Sequence, residues 1–86
     1  MLNVFQVVAD PTRRGILDLL RERERSVGEI VERFMLTQPA VSRHLRELRE
    51  AGLVSVRREG QRRVYVLRPE RLGEIADWAD RFRAGR

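Results

Sequence analysis

Gln38, Ser42, Arg43 and Arg46 are the residues of this chain whose types and spacing best suit chemistry with a nucleic acid. In an α-helix turning about 100° per residue, Val41, Leu45 and Leu48 converge on one side. Gln38, Ser42, Arg46, Pro39 and Arg43 then follow one another from about 60° to about 200° away from Val41. Glutamine can pair with adenine, arginine can pair with guanine O6 and N7, serine can exchange a hydrogen bond, and proline can touch a thymine methyl. Together with Thr37 at its start, this segment reads as a recognition surface of Thr37, Gln38, Pro39, Ser42, Arg43 and Arg46, with no base assigned to any of them. His44 falls near about 300°, at the edge of the apolar side, where it packs or meets a phosphate rather than reading a base.

Four further arginines, Arg57, Arg58, Arg62 and Arg63, bracket Glu59-Gly60-Gln61 and put positive charge at the tip of a hairpin. Such a tip can reach sugar-phosphate or an adjacent minor groove. The same charges would also keep a sheet edge from pairing with another chain. Between Thr37 and Arg68 there are eight arginines and three acids, a surplus equal to the net +5 of the whole chain. Every basic residue is arginine, a choice that genomic bias would account for. Bias does not account for the segregation, which suits a polyanion whose condensed counterions are released on binding.

The same inventory narrows the other classes. There is no cysteine, so no disulfide, thiolate metal site or thiol switch is available, and the single histidine has no thiolate beside it. No glycine-rich phosphate loop and no nucleophile with a partnering base point to an enzyme. No metal and no cofactor are expected. No apolar run approaches the roughly 18 residues that span a bilayer, and the N-terminus lacks the pattern of a secretory signal. Membrane insertion is not expected, and the cytoplasm is the expected location.

The elements that must position these residues are written in caps and periodicities. Leu2, Phe5, Val8 and Ala9 recur at helical spacing and stop at Asp10-Pro11, which caps and opens a second helix running to about Glu24, with Ile16, Leu17, Leu19 and Leu20 inside. Ser26-Val27-Gly28-Glu29 has capping-box spacing and begins a third helix burying Val27, Ile30, Val31 and Phe34. Thr37 caps a fourth, with Pro39 in its first turn, closing on Gly52. Leu53–Arg58 and Arg62–Leu67 form a hairpin in which Val54, Val56, Val64 and Val66 share a face. Pro69-Glu70 restarts a helix carrying Leu72, Ile75, Ala76, Ala79 and Phe82, with Trp78 beside them, and residues 83–86 are expected to fray.

The expected fold is therefore mainly α with a small β-hairpin, in the order α-α-α-α-β-β-α: a winged helix-turn-helix. It occupies residues 1–86 as one domain, with the helix-turn-helix at 27–52 and the wing at 53–67. The helices at 1–9 and 70–83 are assigned to dimerisation through Leu2, Phe5, Leu72, Ile75, Ala79 and Phe82, because so short a chain without staples leans on a partner subunit.

Three stretches, Ala9-Asp10-Pro11-Thr12-Arg13-Arg14-Gly15-Ile16-Leu17, Thr37-Gln38-Pro39-Ala40-Val41-Ser42-Arg43-His44-Leu45 and Glu50-Ala51-Gly52-Leu53-Val54, followed by Arg58-Glu59-Gly60, resemble the ArsR-type winged-helix repressors of bacteria. The resemblance runs from Phe5 to Trp78. It implies a homodimer, paired through its first and last helices, that represses from a near-palindromic operator on double-stranded DNA. It also implies that Gln38, Pro39, Ser42 and Arg43 meet bases and the hairpin meets the backbone. Many relatives sense metals through cysteines on the third helix, where this chain has Glu29-Ile30-Val31-Glu32-Arg33. The chain is closer to cysteine-free members, some of which are relieved by a signal-relaying partner protein. The alternative from the residues alone is a dimeric protein-interaction adaptor, with the Leu72–Phe82 stripe holding a foreign helix.

Overall fold

The computed structural model describes residues 1–84. Its elements are α1 (Val4–Val8), α2 (Pro11–Glu22), β1 (Arg25–Ser26), α3 (Val27–Phe34), α4 (Gln38–Glu50), β2 (Val54–Glu59), β3 (Arg62–Leu67), a 3₁₀ turn (Pro69–Leu72) and α5 (Gly73–Ala84). The expected order is present, with one strand added and the last helix delayed. Residues 85 and 86, in the tail expected to fray, lie outside the described residues, whereas residues 83 and 84 belong to α5.

Local signals set the helix starts. Asp10 accepts the Arg13 N–H at 2.9 Å and Pro11 opens α2. Ser26 and Glu29 close a reciprocal capping box on α3, and Thr37 accepts the Ala40 N–H at 3.3 Å to cap α4. Each cap satisfies a donor that a helix start leaves open. A second capping box, Asn3 with Gln6, begins α1. α2 ends two residues before the expected Glu24, because Arg23 is already extended and the chain then enters β1.

One core holds these pieces together. Ile16, Ile30, Val41, Leu45, Leu48 and Leu53 are fully buried, and they join α2, α3, α4 and the residue before β2. Truncating a side chain such as Leu45 or Leu48 to alanine would cost about 2–5 kcal/mol. In α1 the core takes Val4 and Val7, whereas Phe5, assigned to dimerisation, is 41% exposed.

The sheet corrects two expectations. It has three antiparallel strands in the order β1-β3-β2, because Arg25 and Ser26 pair with Tyr65 and Val64 along the open edge of β3. The turn holds only Gly60 and Gln61, so Val54 stands opposite Leu67, Val56 opposite Tyr65 and Arg58 opposite Arg63. Directly opposed residues share a face. Val54 and Val56 therefore lie with Tyr65 and Leu67, and Val64 and Val66 lie on the other face, one residue out of the expected register.

Arg68-Pro69 ends β3 and a 3₁₀ turn intervenes before α5, so Pro69-Glu70 does not open an α-helix directly. No residue of α5 is buried among the described residues, and Ile75 is its one partly buried side chain.

Candidate nucleic-acid interface

A groove of about 860 Å³ runs between α4 and the hairpin. From α4 come Gln38, Pro39, Ser42, Arg43 and Arg46, all exposed, and from the hairpin come Arg62 and Arg63. Two separated stretches of basic and polar residues thus become the walls of one concavity. The walls are set by the core: Val41, Leu45 and Leu48 anchor one side of α4 and leave the opposite sector to water.

Thr37 stands at the end of this surface, with its hydroxyl engaged by the Ala40 N–H, so its hydrogen-bonding role is that of a cap. Arg49, Gln61, Tyr65 and the Ser26–Gly28 segment also line the groove. Arg49 could have been found from sequence, because at about 100° per residue it falls between Gln38 and Ser42. The Ser26–Gly28 segment could not, since it reaches the groove only through the pairing of β1 with β3.

The arginines divide into engaged and free. Arg57 donates to Glu24 at 3.0 Å and to Glu59 at 2.8 Å, which ties it to the chain before β1. Arg62 is loosely paired, 3.6 Å from Glu29 and 3.9 Å from Glu59. Arg43, Arg46, Arg49, Arg58 and Arg63 have no hydrogen-bonding or ion-pair partner among the described residues. Arg58 and Arg63 oppose each other across the hairpin, a like-charged pair that costs stability unless an anion lies between them. The wing leaves Arg58 and Arg63 free and Arg62 loosely held, and ties the exposed Arg57 to Glu24 and Glu59.

Acids at the rim are kept charged. The Glu29 carboxylate accepts the Ser26 N–H at 2.9 Å and an Arg23 N–H at 3.0 Å, which hold its pKa down to about 2, the Ser26 backbone donor contributing most. The Arg57 guanidinium holds Glu24 below the usual carboxylate range. His44 is buried on the far flank of α4, with Nδ1 3.4 Å from Arg13 Nη1 and 3.5 Å from Glu47 Oε1. It packs in a polar cluster and does not line the groove.

The predicted dimerisation residues gather at one end. Phe5 stacks edge-on against Trp78 with ring centroids 5.9 Å apart, and Trp78 against Phe82 at 5.1 Å. Phe82 and Ala79 are exposed, whereas Leu2, Leu72 and Ile75 pack partly against the core. Val4 and Val7, between them in sequence, turn inward. No group of three or more His, Cys, Asp or Glu placed to hold a metal ion occurs among the described residues, and none of their helices is long and apolar enough to cross a membrane.

The sequence model described as "Bacterial regulatory protein, arsR family" matches residues 10–56. The transcriptional repressor SdpR of Bacillus subtilis (strain 168) is 40% identical over 82 residues, which cover 95% of this chain and 91% of that protein. Among solved structures, one described as "Possible transcriptional regulator for arsenical resistance" superposes with a TM-score of 0.85 at 39% identity, over 95% of this chain and 85% of the other. A homodimeric winged helix-turn-helix DNA-binding domain from Mycobacterium bovis, solved by NMR, gives a TM-score of 0.76 at 31% identity, over 94% and 75% of the two chains. These relatives are transcriptional regulators that bind DNA, not enzymes.

Proposed function

The chain belongs to the arsR family of bacterial regulatory proteins, a family of winged helix-turn-helix DNA-binding transcriptional regulators, and from that premise we propose that it is a homodimeric repressor of a near-palindromic operator. The observation that carries the proposal is the groove, in which the exposed sector of α4 and two wing arginines, Arg62 and Arg63, face one volume. In it α4 enters the major groove, where Gln38, Pro39, Ser42 and Arg43 meet base edges and Arg46 meets a base or a phosphate. Arg58, Arg62 and Arg63 neutralise the flanking backbone. Such a protein works in the cytoplasm, with the chromosome.

Two copies related by a twofold axis would set their α4 helices about 34 Å apart, one turn of DNA. The aromatic cluster of Phe5 on α1 with Trp78 and Phe82 on α5 supports pairing through these two helices, and the repressor role is supported by the relative from Bacillus subtilis.

Gel shift against a duplex selected from a random pool tests the proposal. Arg43→Ala should abolish preference for that duplex, and Arg62→Ala with Arg63→Ala should weaken binding to all duplexes. Sequence-specific binding that survives in both variants rules out this surface. A self-associating protein with no salt-dependent affinity for DNA would favour the adaptor reading instead.

A further inference from the structure

One guanidinium joins three helices on the flank of α4 that faces α1 and α2. Arg13, in the first turn of α2, has a side chain only 11% exposed. Its Nε donates to the Val7 carbonyl at 2.7 Å, at the C-terminal end of α1, and its Nη2 to the Gln6 carbonyl at 3.4 Å, which also accepts the Ala9 N–H. Its Nη1 donates to Glu47 Oε1 at 2.8 Å and lies 3.4 Å from His44 Nδ1, both on α4. The Asp10 carboxylate fixes the Arg13 backbone at the same corner. α1 in turn rests on α5 through the stacking of Phe5 on Trp78.

We propose that Arg13 is a positioning residue for DNA recognition, holding α4 at one rotation relative to α1 so that the base-reading sector has a fixed aim. Glu47 follows Arg46 directly and lies one turn beyond Arg43, so a guanidinium that grips Glu47 sets the azimuth at which both arginines leave the helix. The planar fork of arginine can engage α1 and α4 at once in a defined geometry, which the point charge of lysine cannot reproduce. A largely buried ion pair contributes little net stability compared with apolar packing, because desolvation offsets its Coulomb gain. Its contribution here is orientation: the separation and facing of two α4 helices follow from the path α5, α1, Arg13, α4.

The inference rests on the operator-binding reading, and the test separates the two. Arg13→Lys and Glu47→Gln are made in the full chain. Affinities are measured for the selected duplex, for a scrambled duplex, and for duplexes with the half-sites moved one base pair closer or further apart. Specific affinity should fall on the order of tenfold in Arg13→Lys and about threefold in Glu47→Gln, as loss of charge-assisted bonds implies. Affinity for the scrambled duplex should stay within about twofold, and the preference for native spacing should flatten, because phosphate contacts tolerate misaim better than base contacts. A wild type with no preferred duplex overturns the operator reading itself. A specific wild type whose folded variants keep both their specificity ratio and their spacing preference overturns the role of Arg13 alone, as does an equal loss on all duplexes. Should Arg13→Lys not fold, Glu47→Gln decides by the same criteria.

Discussion

Arg57 and Glu24, 33 residues apart in sequence, are joined by two hydrogen bonds, so that a wing arginine is tied back to the segment before β1. Arg58 and Arg63 are left as the outward pair. The wing is thus a basic tip braced by one of its own arginines.

That division predicts different salt responses. Each phosphate contact adds about 0.9 to the slope of log affinity against log salt concentration. Arg63→Ala should therefore lower the slope by about one contact, while Arg57→Ala changes it by less than half of that. Fluorescence anisotropy titrations across a series of salt concentrations measure both. Equal slopes lost by the two variants would show that Arg57 leaves Glu24 on binding.

Local signals made most of the fold legible. Asp10-Pro11, the Ser26–Glu29 box, Thr37 and Gly52 act on neighbours within four residues, so their meaning survives folding. The exposed sector of α4 followed from periodicity for the same reason. β1 was not legible, since two residues become a strand only when β3 presents an edge to them. The hairpin register turned on whether two or three residues form the turn, and the difference of one exchanges the faces of Val64 and Tyr65. The pairs Arg57 with Glu24 and Arg13 with Glu47 join residues more than thirty apart, beyond any spacing rule. In α1 both Val4 and Phe5 fit a helical stripe, and only packing decides that the valine goes inward.

The C-terminal ends of the two helices of the helix-turn-helix predict opposite effects of small substitutions. Met35 closes α3 in the left-handed region at φ 55°, with its side chain 91% exposed. An L-residue there costs about 1–2 kcal/mol. Met35→Asn should relieve part of this and stabilise the protein by about 0.5–1 kcal/mol. Gly52 closes α4 at φ 81°, where an added Cβ would also lie 3.1 Å from Arg71 Cδ. Gly52→Ala should destabilise by about 1–2 kcal/mol, a fall of several degrees in Tm. Thermal melts of the two variants moving in the same direction would contradict this.

Acid should loosen the start of α3. The folded-state pKa of Glu29, about 2, lies below its ordinary 4.5, so its contribution is complete above about 4.5 and is lost as the pH falls toward 2. Asp10 and Glu24 are lowered in the same sense, by the Arg13 backbone N–H and by Arg57 respectively. Stability should decline below pH about 4.5, and Glu29→Gln should have a lower Tm at neutral pH and a shallower decline in acid. Melts at neutral and acid pH compare the slopes, and parallel curves for wild type and variant would remove Glu29 from the account.

The aromatic face at the α1–α5 end carries its own reporter. Trp78 is the sole tryptophan, 48% exposed in the single chain and stacked between Phe5 and Phe82. Covering a ring such as Phe82 on dimerisation is worth about 1.5–3 kcal/mol, so Phe82→Glu, which also forces desolvation of a carboxylate, should weaken self-association by two orders of magnitude or more. In the wild type, dilution through the dissociation range should shift Trp78 emission to longer wavelength as water reaches the indole. Phe82→Glu should show the long-wavelength spectrum at every concentration and sediment as a monomer. Its DNA affinity should drop to that of a single α4 and wing, because one half-site is then bound without the other. Emission and sedimentation that ignore both concentration and residue 82 would place the dimer contact elsewhere on the chain.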